Sequence, residues 1–365
     1  MAQASVEGIS LQQADFQTSG QKSQEPFFPN LLQKKVLLVT GKGGIGKTLL
    51  SAALAQAAAA QGKKVLLHEF GAVDQIAPLF GVPHVGHERR EVAPQIFCAN
   101  LNPKDNFRDF VVKYLGQKKL FDRVISHRVI QTLIKTIPGL AELMILGRLY
   151  FEGAVAPGVR FDLIVFDGPA SGHFLNMMTT PDAVLQSNII GPVRKETERV
   201  KNFLSQKDQV GCLYVTIPEE LVISEALDFI PLLQAKSPAA LAGVVVNKVP
   251  RSWCGFHDRP LMAEELVPLS SGLGAPLAGE GTSASYTQVL HHARRESLER
   301  ARRALALFDQ GMALIQRGPS TGAQAVGSTL GRWDLPDLFS VKEPLDPDLW
   351  RQLLTHKGGP LAAKS

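Results

Sequence analysis

One stretch, residues 36–48, constrains the fold of this 365-residue chain more than any other. It begins with VLLVT, which is typical of a buried strand, and continues as GKGGIGKT into a leucine- and alanine-rich segment typical of a helix. A glycine-rich loop ending in Lys47-Thr48 between a strand and a helix is the context in which this pattern predicts a phosphate-binding loop. Backbone N–H groups and the positive end of the helix would stabilise anionic charge there, so the sequence predicts a nucleotide site.

The loop and a later strand predict how the nucleotide and its metal are held. Lys47 is expected to reach the β- and γ-phosphates, and the Thr48 hydroxyl is expected to bind Mg²⁺. Residues 161–167 form an apolar strand ending in Asp167, whose carboxylate is the second predicted magnesium ligand. The residues expected to line the phosphate site are Gly41, Lys42, Gly43, Gly44, Ile45, Gly46, Lys47, Thr48 and Leu49.

The segment after the loop predicts the fold class. A helix over residues 48–61, a turn at 62–64 and a second apolar strand at 65–68 form a strand–helix–strand unit of the length that a parallel crossover requires. Near-continuous apolar strands are expected where helices cover both faces of a sheet. We therefore expect an α/β fold with a doubly wound, mostly parallel sheet.

Composition excludes several classes of protein. Cys98, Cys212 and Cys254 are isolated, so neither a disulfide framework nor a zinc site is indicated, and a reducing cytoplasm fits best. No apolar run approaches roughly 18 residues, so no membrane span is expected. The net charge of +5 is modest, and a nucleotide site itself needs positive charge, so no nucleic-acid partner is expected.

An additional lysine in the loop, Lys42, indicates which class of phosphate-binding loop this is. The GKGGIGKT pattern resembles the deviant phosphate-binding loop of the ParA, MinD, nitrogenase-iron-protein and arsenite-pump ATPases, in which this lysine crosses a dimer interface to the partner's phosphates. The resemblance implies ATP as the nucleotide, a catalytic role for Lys42 and Lys47, and a dimeric active unit. The alternative is an ordinary solvated loop lysine.

Two further segments resemble the arsenite-pump ATPase family, which includes the Get-pathway ATPase that targets tail-anchored membrane proteins. Residues 168–181, GPASGHFLNMMTTP, resemble that family's D-T-A-P-T-G-H-T-L-R…P switch segment, and residues 137–142, IPGLAE, resemble its I-P-G-x-x-E stretch. This resemblance implies a helical insertion at about 82–157 within an ATPase domain at 34–342, and a membrane-protein client. Residues 1–33 and 343–365 are expected to be a disordered extension and a tail.

The chain departs from this family at several positions. Gly71 stands where the related ATPases carry the acid that positions the attacking water. We expect that either Glu69 or Asp74 takes over this role, or that ATP hydrolysis is slow. Only Cys254 lies where the targeting ATPase has a C-x-x-C pair, so no zinc clasp is expected. By position, the Asn247 amide is expected to bind adenine and Pro336 to line the adenine pocket.

Two other functions stay open from the sequence. One is a ParA- or MinD-like positioning ATPase, which would have a short segment between its switches. The other is a hydrolysis-deficient nucleotide-binding subunit that pairs with a related active subunit. The sequence does not distinguish a homodimer from a heterodimer, and His173 in the switch segment is either functional or structural.

Overall fold

The computed structural model describes residues 27–71, 74–102, 105–106, 108–109, 139–155, 160–187, 191–249, 282–317 and 331–336. Within this part of the chain, eight strands form a single sheet in the order β3-β4-β2-β5-β1-β6-β7-β8. Every neighbouring pair is parallel except β3–β4. The strands are β1 (Val36–Gly41), β2 (Val65–Phe70), β3 (Arg90–Ala93), β4 (Ile96–Leu101), β5 (Leu163–Ala170), β6 (Val210–Thr216), β7 (Leu241–Val249) and β8 (Gly331–Pro336).

Helices cover both faces of this sheet. They are α1 (Phe27–Leu32), α2 (Lys47–Ala59), α3 (Ile76–Leu79), α4 (Leu140–Tyr150), α5 (Ser171–Gln186), α6 (Pro192–Leu204), α7 (Glu220–Lys236) and α8 (Thr282–Arg317), and a π-helical turn at Phe151–Val155 continues α4. Buried residues of α1–α3 pack on one face, and most of those of α4–α8 pack on the other. The predicted α/β fold with a mostly parallel sheet is therefore confirmed.

The central strand β1 shows why its sequence is apolar without alternation. Val36 and Leu38 contribute to the core under α4–α8, whereas Leu37 and Val39 contribute to the core under α1–α3. Because successive side chains point to opposite faces, a strand that is covered on both sides must be apolar at every position. Helix α2 covers one of these faces, and its alanines let it lie close to the sheet because their side chains are small.

The folded part of the chain begins earlier than the predicted boundary at residue 34. Helix α1 lies inside the range expected to be disordered, and Leu31 and Leu32 are only 2% and 1% exposed. Burial of these two leucines in the core under α1–α3 docks this helix on the sheet. Residues 1–26, and the predicted tail at 343–365, lie outside the described residues.

The region at 82–157 is not helical throughout. Its first part contains β3 and β4, which extend the sheet beyond β2, with Val65 of β2 aligned with Ile96 of β4. These strands are short, and the partly exposed residues of β4, Phe97 and Asn100, do not alternate with buried ones, so the sequence gives only a weak strand signal. Helix α4 lies where a helix was expected, while residues 110–138 lie outside the described part. Among the described residues, no helix has the length and apolar character required to cross a bilayer.

Candidate functional site

The phosphate-binding loop lies where the carboxyl ends of three strands meet. Strand β5 pairs with β1 on one side and with β2 on the other, and Asp167 is aligned with Val39 of β1 and Glu69 of β2. Parallel strands bring their carboxyl ends to one edge of a sheet, which is where open α/β folds place ligands. The topology therefore brings the loop, Glu69 and Asp167 together, although more than 100 residues separate the loop from Asp167 in sequence.

Glycines shape the loop into an open cradle. A Cβ at Gly41 would lie 2.2 Å from the Val215 carbonyl oxygen, so no side chain fits there. Gly44 and Gly46 adopt positive φ angles of 78° and 92°, which favour glycine. A Cβ at Gly43 or Gly44 would meet no atom within 4 Å in the described structure, so space remains beside the loop.

The N-terminus of α2 faces this cradle. Helix α2 begins at Lys47, directly after Gly46, and no side chain of the described residues caps it. The first N–H groups of a helix lack intrahelical partners, and together with the helix dipole they favour an anion. The loop and α2 therefore have the arrangement that a phosphate group requires.

Thr48 and Asp167, the two predicted magnesium ligands, are in direct contact. The Thr48 hydroxyl donates to Asp167 Oδ2 at 2.6 Å, and the Ser51 hydroxyl lies 3.2 Å from Oδ1. Burial raises the pKa of Asp167, and the two hydroxyl hydrogen bonds oppose this effect. Hydroxyl and carboxylate oxygens are hard ligands that suit Mg²⁺, so these residues fit the metal.

Ser51 is a further residue at this site that is not among the predicted ones. It lies on α2 one turn after Lys47, and its side chain also donates to the Lys47 carbonyl oxygen at 3.0 Å. The available signal was a serine three residues after Thr48 in a helix otherwise filled with alanine and leucine, because residues three apart share a helix face.

The two loop lysines have different surroundings. Lys47 Nζ donates to the Lys42 carbonyl oxygen at 2.9 Å, which folds its side chain back over the loop. Burial lowers the pKa of Lys47, and the charge of Asp167 opposes this effect. Lys42 instead points to α7, where its Nζ lies 2.8 Å from Glu225 Oε2 in a partly exposed ion pair. Lys42 therefore has a partner within its own chain.

The two candidate acids, Glu69 and Asp74, differ in their hydrogen bonds. Glu69 Oε1 accepts a hydrogen bond from the Gln75 N–H at 2.5 Å, while its Oε2 is buried without a hydrogen-bond partner in the described part of the chain. Burial raises the pKa of Glu69 to about 7, and the neighbouring charges of Asp74 and Asp167 add to this effect.

The Asp74 carboxylate accepts backbone hydrogen bonds from the start of α3 and from Val85, farther along the chain. It accepts hydrogen bonds from the N–H groups of Ala77 at 3.0 Å and Val85 at 2.5 Å, and His84 Nδ1 lies 3.0 Å from it. Burial opposes ionisation, but these backbone hydrogen bonds hold the pKa of Asp74 below its ordinary value. Asp74 thus holds the start of α3, and Gly71 offers no side chain.

Asn247 and Pro336, the residues expected near adenine, lie at the same edge of the sheet. Asn247 is buried near the end of β7, and its Nδ2 donates to the Ile45 carbonyl oxygen of the loop at 2.8 Å. Pro336 ends β8 and is aligned with Val249. The Asn247 amide therefore braces the phosphate-binding loop.

His173 links the two segments that resemble the arsenite-pump family. It lies in the first turn of α5, and its Nε2 is 3.3 Å from Oε1 of Glu142 in α4. Its ring is also 5.6 Å from that of Phe70 at the end of β2. His173 therefore joins β2, α4 and α5 beside the nucleotide site.

The structure also contains a buried ion-pair network that the sequence does not predict. Its centre is Glu152, which is 5% exposed and forms the network with His68, Arg89 and Arg148. Burial disfavours the charge of Glu152, but the His68 ring and the two guanidinium groups outweigh it and lower the pKa of Glu152 to about 2. We call these four residues the Glu152 network.

The network lies directly behind the nucleotide site. His68 precedes Glu69 in β2, so their side chains point to opposite faces of the sheet. The Nε2 atom of His68 contacts Glu152, and its Nδ1 lies 3.3 Å from the Ala99 carbonyl oxygen of β4. Most of its members are far apart in sequence, so no local pattern predicts the network.

Comparisons with known proteins agree with this geometry. Residues 34–190 match the sequence profile of the anion-transporting ATPase (ArsA) family. The chain is 30% identical to ATPase BagA of Mycobacterium tuberculosis over 275 residues, which cover 71% of this chain and 79% of BagA. It is 25% identical to a putative arsenical pump-driving ATPase 1 of Aquifex aeolicus over 156 residues (40% and 38% of the two chains). It is 29% identical to ATPase GET3 of Ajellomyces dermatitidis over 171 residues (45% and 48%). These relatives support an ATP-binding ATPase, and the chain belongs to the anion-transporting ATPase (ArsA) family.

Proposed function

We propose that this protein is a Mg²⁺-dependent ATPase that hydrolyses ATP to ADP and phosphate and uses the cycle to rearrange the helices on one face of its sheet. The observation that carries the proposal is the 2.6 Å contact between Thr48 and Asp167 beside the uncapped N-terminus of α2. It joins a hydroxyl and a carboxylate from distant parts of the sequence at the point where a bound phosphate would lie.

The chain's own groups bind and orient the nucleotide. The N–H groups of residues 43–48 and the Lys47 ammonium group face the phosphates, and Lys47 exchanges its bond to the Lys42 carbonyl oxygen for a phosphate oxygen. Mg²⁺ held by Thr48 and Asp167 would neutralise the negative charge on the phosphate oxygens. We assign Asn247 and Pro336 to the adenine side, an assignment supported by the ends of β7 and β8 lying at the same edge of the sheet as the loop.

Glu69 is the acid that we assign to the attacking water. Its Oε2 has no hydrogen-bond partner among the described residues, whereas both oxygens of Asp74 accept backbone N–H bonds. Water attacks the γ-phosphorus, the bond from phosphorus to the ADP oxygen breaks, and the water proton passes to the Glu69 carboxylate. Asp74 then acts by holding the turn that carries Gln75, the donor to Glu69.

The switch would pass from the nucleotide to the helices through the first turn of α5. His173 contacts Glu142 of α4 there, so a change in the β5–α5 segment on hydrolysis moves α4 as well. The resemblance to a targeting ATPase favours a membrane-protein client for the helical region. Three further points stay predictions: ATP-dependent dimerisation through Lys42, a cytoplasmic location and the lack of a zinc clasp.

The experiment that tests this function is ATP turnover by the full-length protein with Mg²⁺, combined with light scattering with and without ATP. We expect turnover and ATP-promoted dimers. Asp74→Asn serves as the matched control for Glu69→Gln. Glu69→Gln should lower turnover by about 10²- to 10⁴-fold and keep ATP binding, whereas Asp74→Asn should lower stability while keeping measurable turnover. Tight ATP binding by a monomer without turnover would refute the proposal and favour a hydrolysis-deficient subunit, the function that Gly71 keeps open.

A further inference from the structure

Two consecutive residues near the end of β7 hold two consecutive carbonyl groups of the phosphate-binding loop. The Asn247 amide donates to the Ile45 carbonyl oxygen at 2.8 Å, and Lys248 Nζ donates to the Gly44 carbonyl oxygen at 3.3 Å. In a regular strand, successive side chains point to opposite faces of the sheet. A regular β7 would therefore direct only one of these two side chains to the loop.

A bulge in β7 brings both side chains to the same place. Val246 and Val249, which are three positions apart in β7, are aligned with residues that are only two positions apart in β8. Asn247 and Lys248 therefore lie opposite a single residue of β8. An extra residue of this kind bends the strand and redirects its side chains, and such bulges are common next to functional sites.

The backbone of Lys248 is strained. Its φ angle is 56°, in the left-handed region that residues with a Cβ rarely adopt. The other non-glycine residue with a positive φ in the described part of the chain, Gln95, lies in the turn between β3 and β4, where this conformation is common. Lys248 lies within a strand, so a turn does not account for it. Strain of this kind persists mainly at functional sites.

The two hydrogen bonds also fix the direction of two N–H groups in the loop. In a planar trans peptide, the C=O bond and the N–H bond of the next residue point in opposite directions. The bond from Lys248 to the Gly44 carbonyl group therefore directs the Ile45 N–H away from β7. The bond from Asn247 to the Ile45 carbonyl group does the same for the Gly46 N–H. A glycine-rich backbone is otherwise conformationally free, so an external restraint on these groups has a large effect.

Lys248 supplies a positive charge, whereas the Asn247 amide is neutral. A hydrogen bond from an ammonium group is stronger than one from an amide. Lys248 is partly exposed, however, and its donor–acceptor distance is long, so we expect a contribution at the lower end of the range for charged donors. The same charge lies beside the loop that is expected to hold phosphates, where it also favours an anion.

We propose that Lys248 is a positioning residue of the phosphate site, which together with Asn247 holds the loop in the conformation that presents its N–H groups to a nucleotide. This inference rests on the proposed nucleotide-binding function and adds a residue to it. A loop that is already ordered loses less conformational entropy when the ligand binds, so the restraint raises affinity. The bulge and the strained φ angle are the structural conditions that place the lysine there.

The test is a calorimetric titration of the full-length protein with ADP in the presence of Mg²⁺, so that the result is independent of whether the protein hydrolyses ATP. Lys248→Met keeps a side chain of similar length without the ammonium group, and it should lower the affinity for ADP about 3- to 10-fold. Lys248→Arg keeps a long cationic donor and should restore most of this loss. Lys34→Met is the matched control, because Lys34 also donates to a backbone carbonyl oxygen, that of Lys207 at 2.5 Å, but precedes β1 at the opposite edge of the sheet. It should bind ADP as the wild type does.

A glycine at position 248 separates positioning of the loop from stability of the fold. Lys248→Gly relieves the strained φ angle and removes the side chain, so its melting temperature should equal or exceed that of the wild type while its ADP affinity falls as in Lys248→Met.

The proposal is overturned if folded Lys248→Met or Lys248→Gly binds ADP as the wild type does, if Lys248→Arg restores nothing, or if Lys34→Met loses as much affinity. It is also overturned if the melting temperature of Lys248→Gly falls together with its affinity, since Lys248 would then act on the fold alone. A wild-type protein that binds no ADP would refute the nucleotide-binding function as well, whereas normal wild-type binding with unaffected Lys248 variants would remove only the role of Lys248.

Discussion

Glu152→Gln should destabilise the protein by about 3 kcal/mol at pH 7. The Glu152 network lowers the pKa of this carboxyl from an ordinary value of 4.5 to about 2. Each pH unit of this difference corresponds to about 1.4 kcal/mol of preferential stabilisation of the charged form. The Glu152 side chain is fully buried, so solvent screening does not reduce this value. Glutamine also leaves Arg89 and Arg148 without their buried anion, which is why a loss of about 3–5 kcal/mol is typical.

The sign of the pH dependence follows from the lowered pKa. The unfolded state takes up a proton at Glu152 near pH 4.5, whereas the folded state does so only near pH 2. The contribution of the charge is therefore complete above about pH 5 and declines as the pH falls toward 2. The difference in the free energy of unfolding between wild type and Glu152→Gln should fall below half its neutral value by about pH 3.

Urea unfolding followed by circular dichroism measures this difference at pH 7, 4 and 3, with equal m-values as the check that the two proteins unfold comparably. The control is Glu198→Gln, which removes a half-exposed ion pair with Arg194 at 3.3 Å on α6. That change should cost less than about 0.5 kcal/mol. A loss below about 1 kcal/mol for Glu152→Gln, or a difference that is the same at pH 3 and pH 7, would show that the buried charge does not stabilise the fold.

Four substitutions at the nucleotide site, with Glu225→Ala as a control for one of them, separate binding, hydrolysis and assembly. Lys47→Ala removes the cation over the loop and should abolish measurable ATP binding and turnover; unchanged affinity in calorimetry would contradict the loop assignment. Lys42→Ala should prevent ATP-promoted dimers in light scattering, while Glu225→Ala, which breaks the same ion pair from the other side, should leave them; equal loss in both would make Lys42 a structural residue. Asn247→Ala removes the 2.8 Å bond to the loop and should weaken ATP binding about 5- to 30-fold, the equivalent of about 1–2 kcal/mol; an unchanged dissociation constant would argue against a bracing role. Glu69→Gln should lower kcat by about 10²- to 10⁴-fold with ATP affinity retained, and wild-type turnover would exclude Glu69 as the base.

The loop was predictable because its information is local. Strand, glycines, Lys47, Thr48 and helix are contiguous, and the structure adds only why Gly41 must lack a side chain, which is the nearby Val215 carbonyl oxygen. The position of Asp167 beside the loop could also be predicted from an apolar strand that ends in aspartate, and the contact with Thr48 agrees with it. The fold class followed from the same strand and helix pattern.

The features that the sequence did not reveal depend on distant contacts. Strand β4 is identified by its pairing with β2, and α1 by the burial of Leu31 and Leu32 on a core that later residues build. In the sequence, Glu152 is an acidic residue in a helical segment with no evident ion-pair partner other than nearby residues. His68 and Arg89 contact it only because the fold brings them together. Ser51 differs, because its spacing from Thr48 was a usable local signal.

Two consecutive residues of β2, His68 and Glu69, link the Glu152 network to the nucleotide site. His68 and Glu69 are consecutive, so one strand segment carries a side chain in the Glu152 network on one face and the proposed catalytic base at the nucleotide site on the other. The network fixes His68 through Glu152, and Glu152 is in turn fixed by Arg148 of α4, the helix that also contacts His173 through Glu142. A movement of α4 therefore changes the surroundings of His68 and, through His173, of Phe70, which share one face of β2. Since a buried charge that loses its partner is strongly destabilising, α4 is expected to move with the network intact, which makes β2 rather than the ion pairs the part that adjusts.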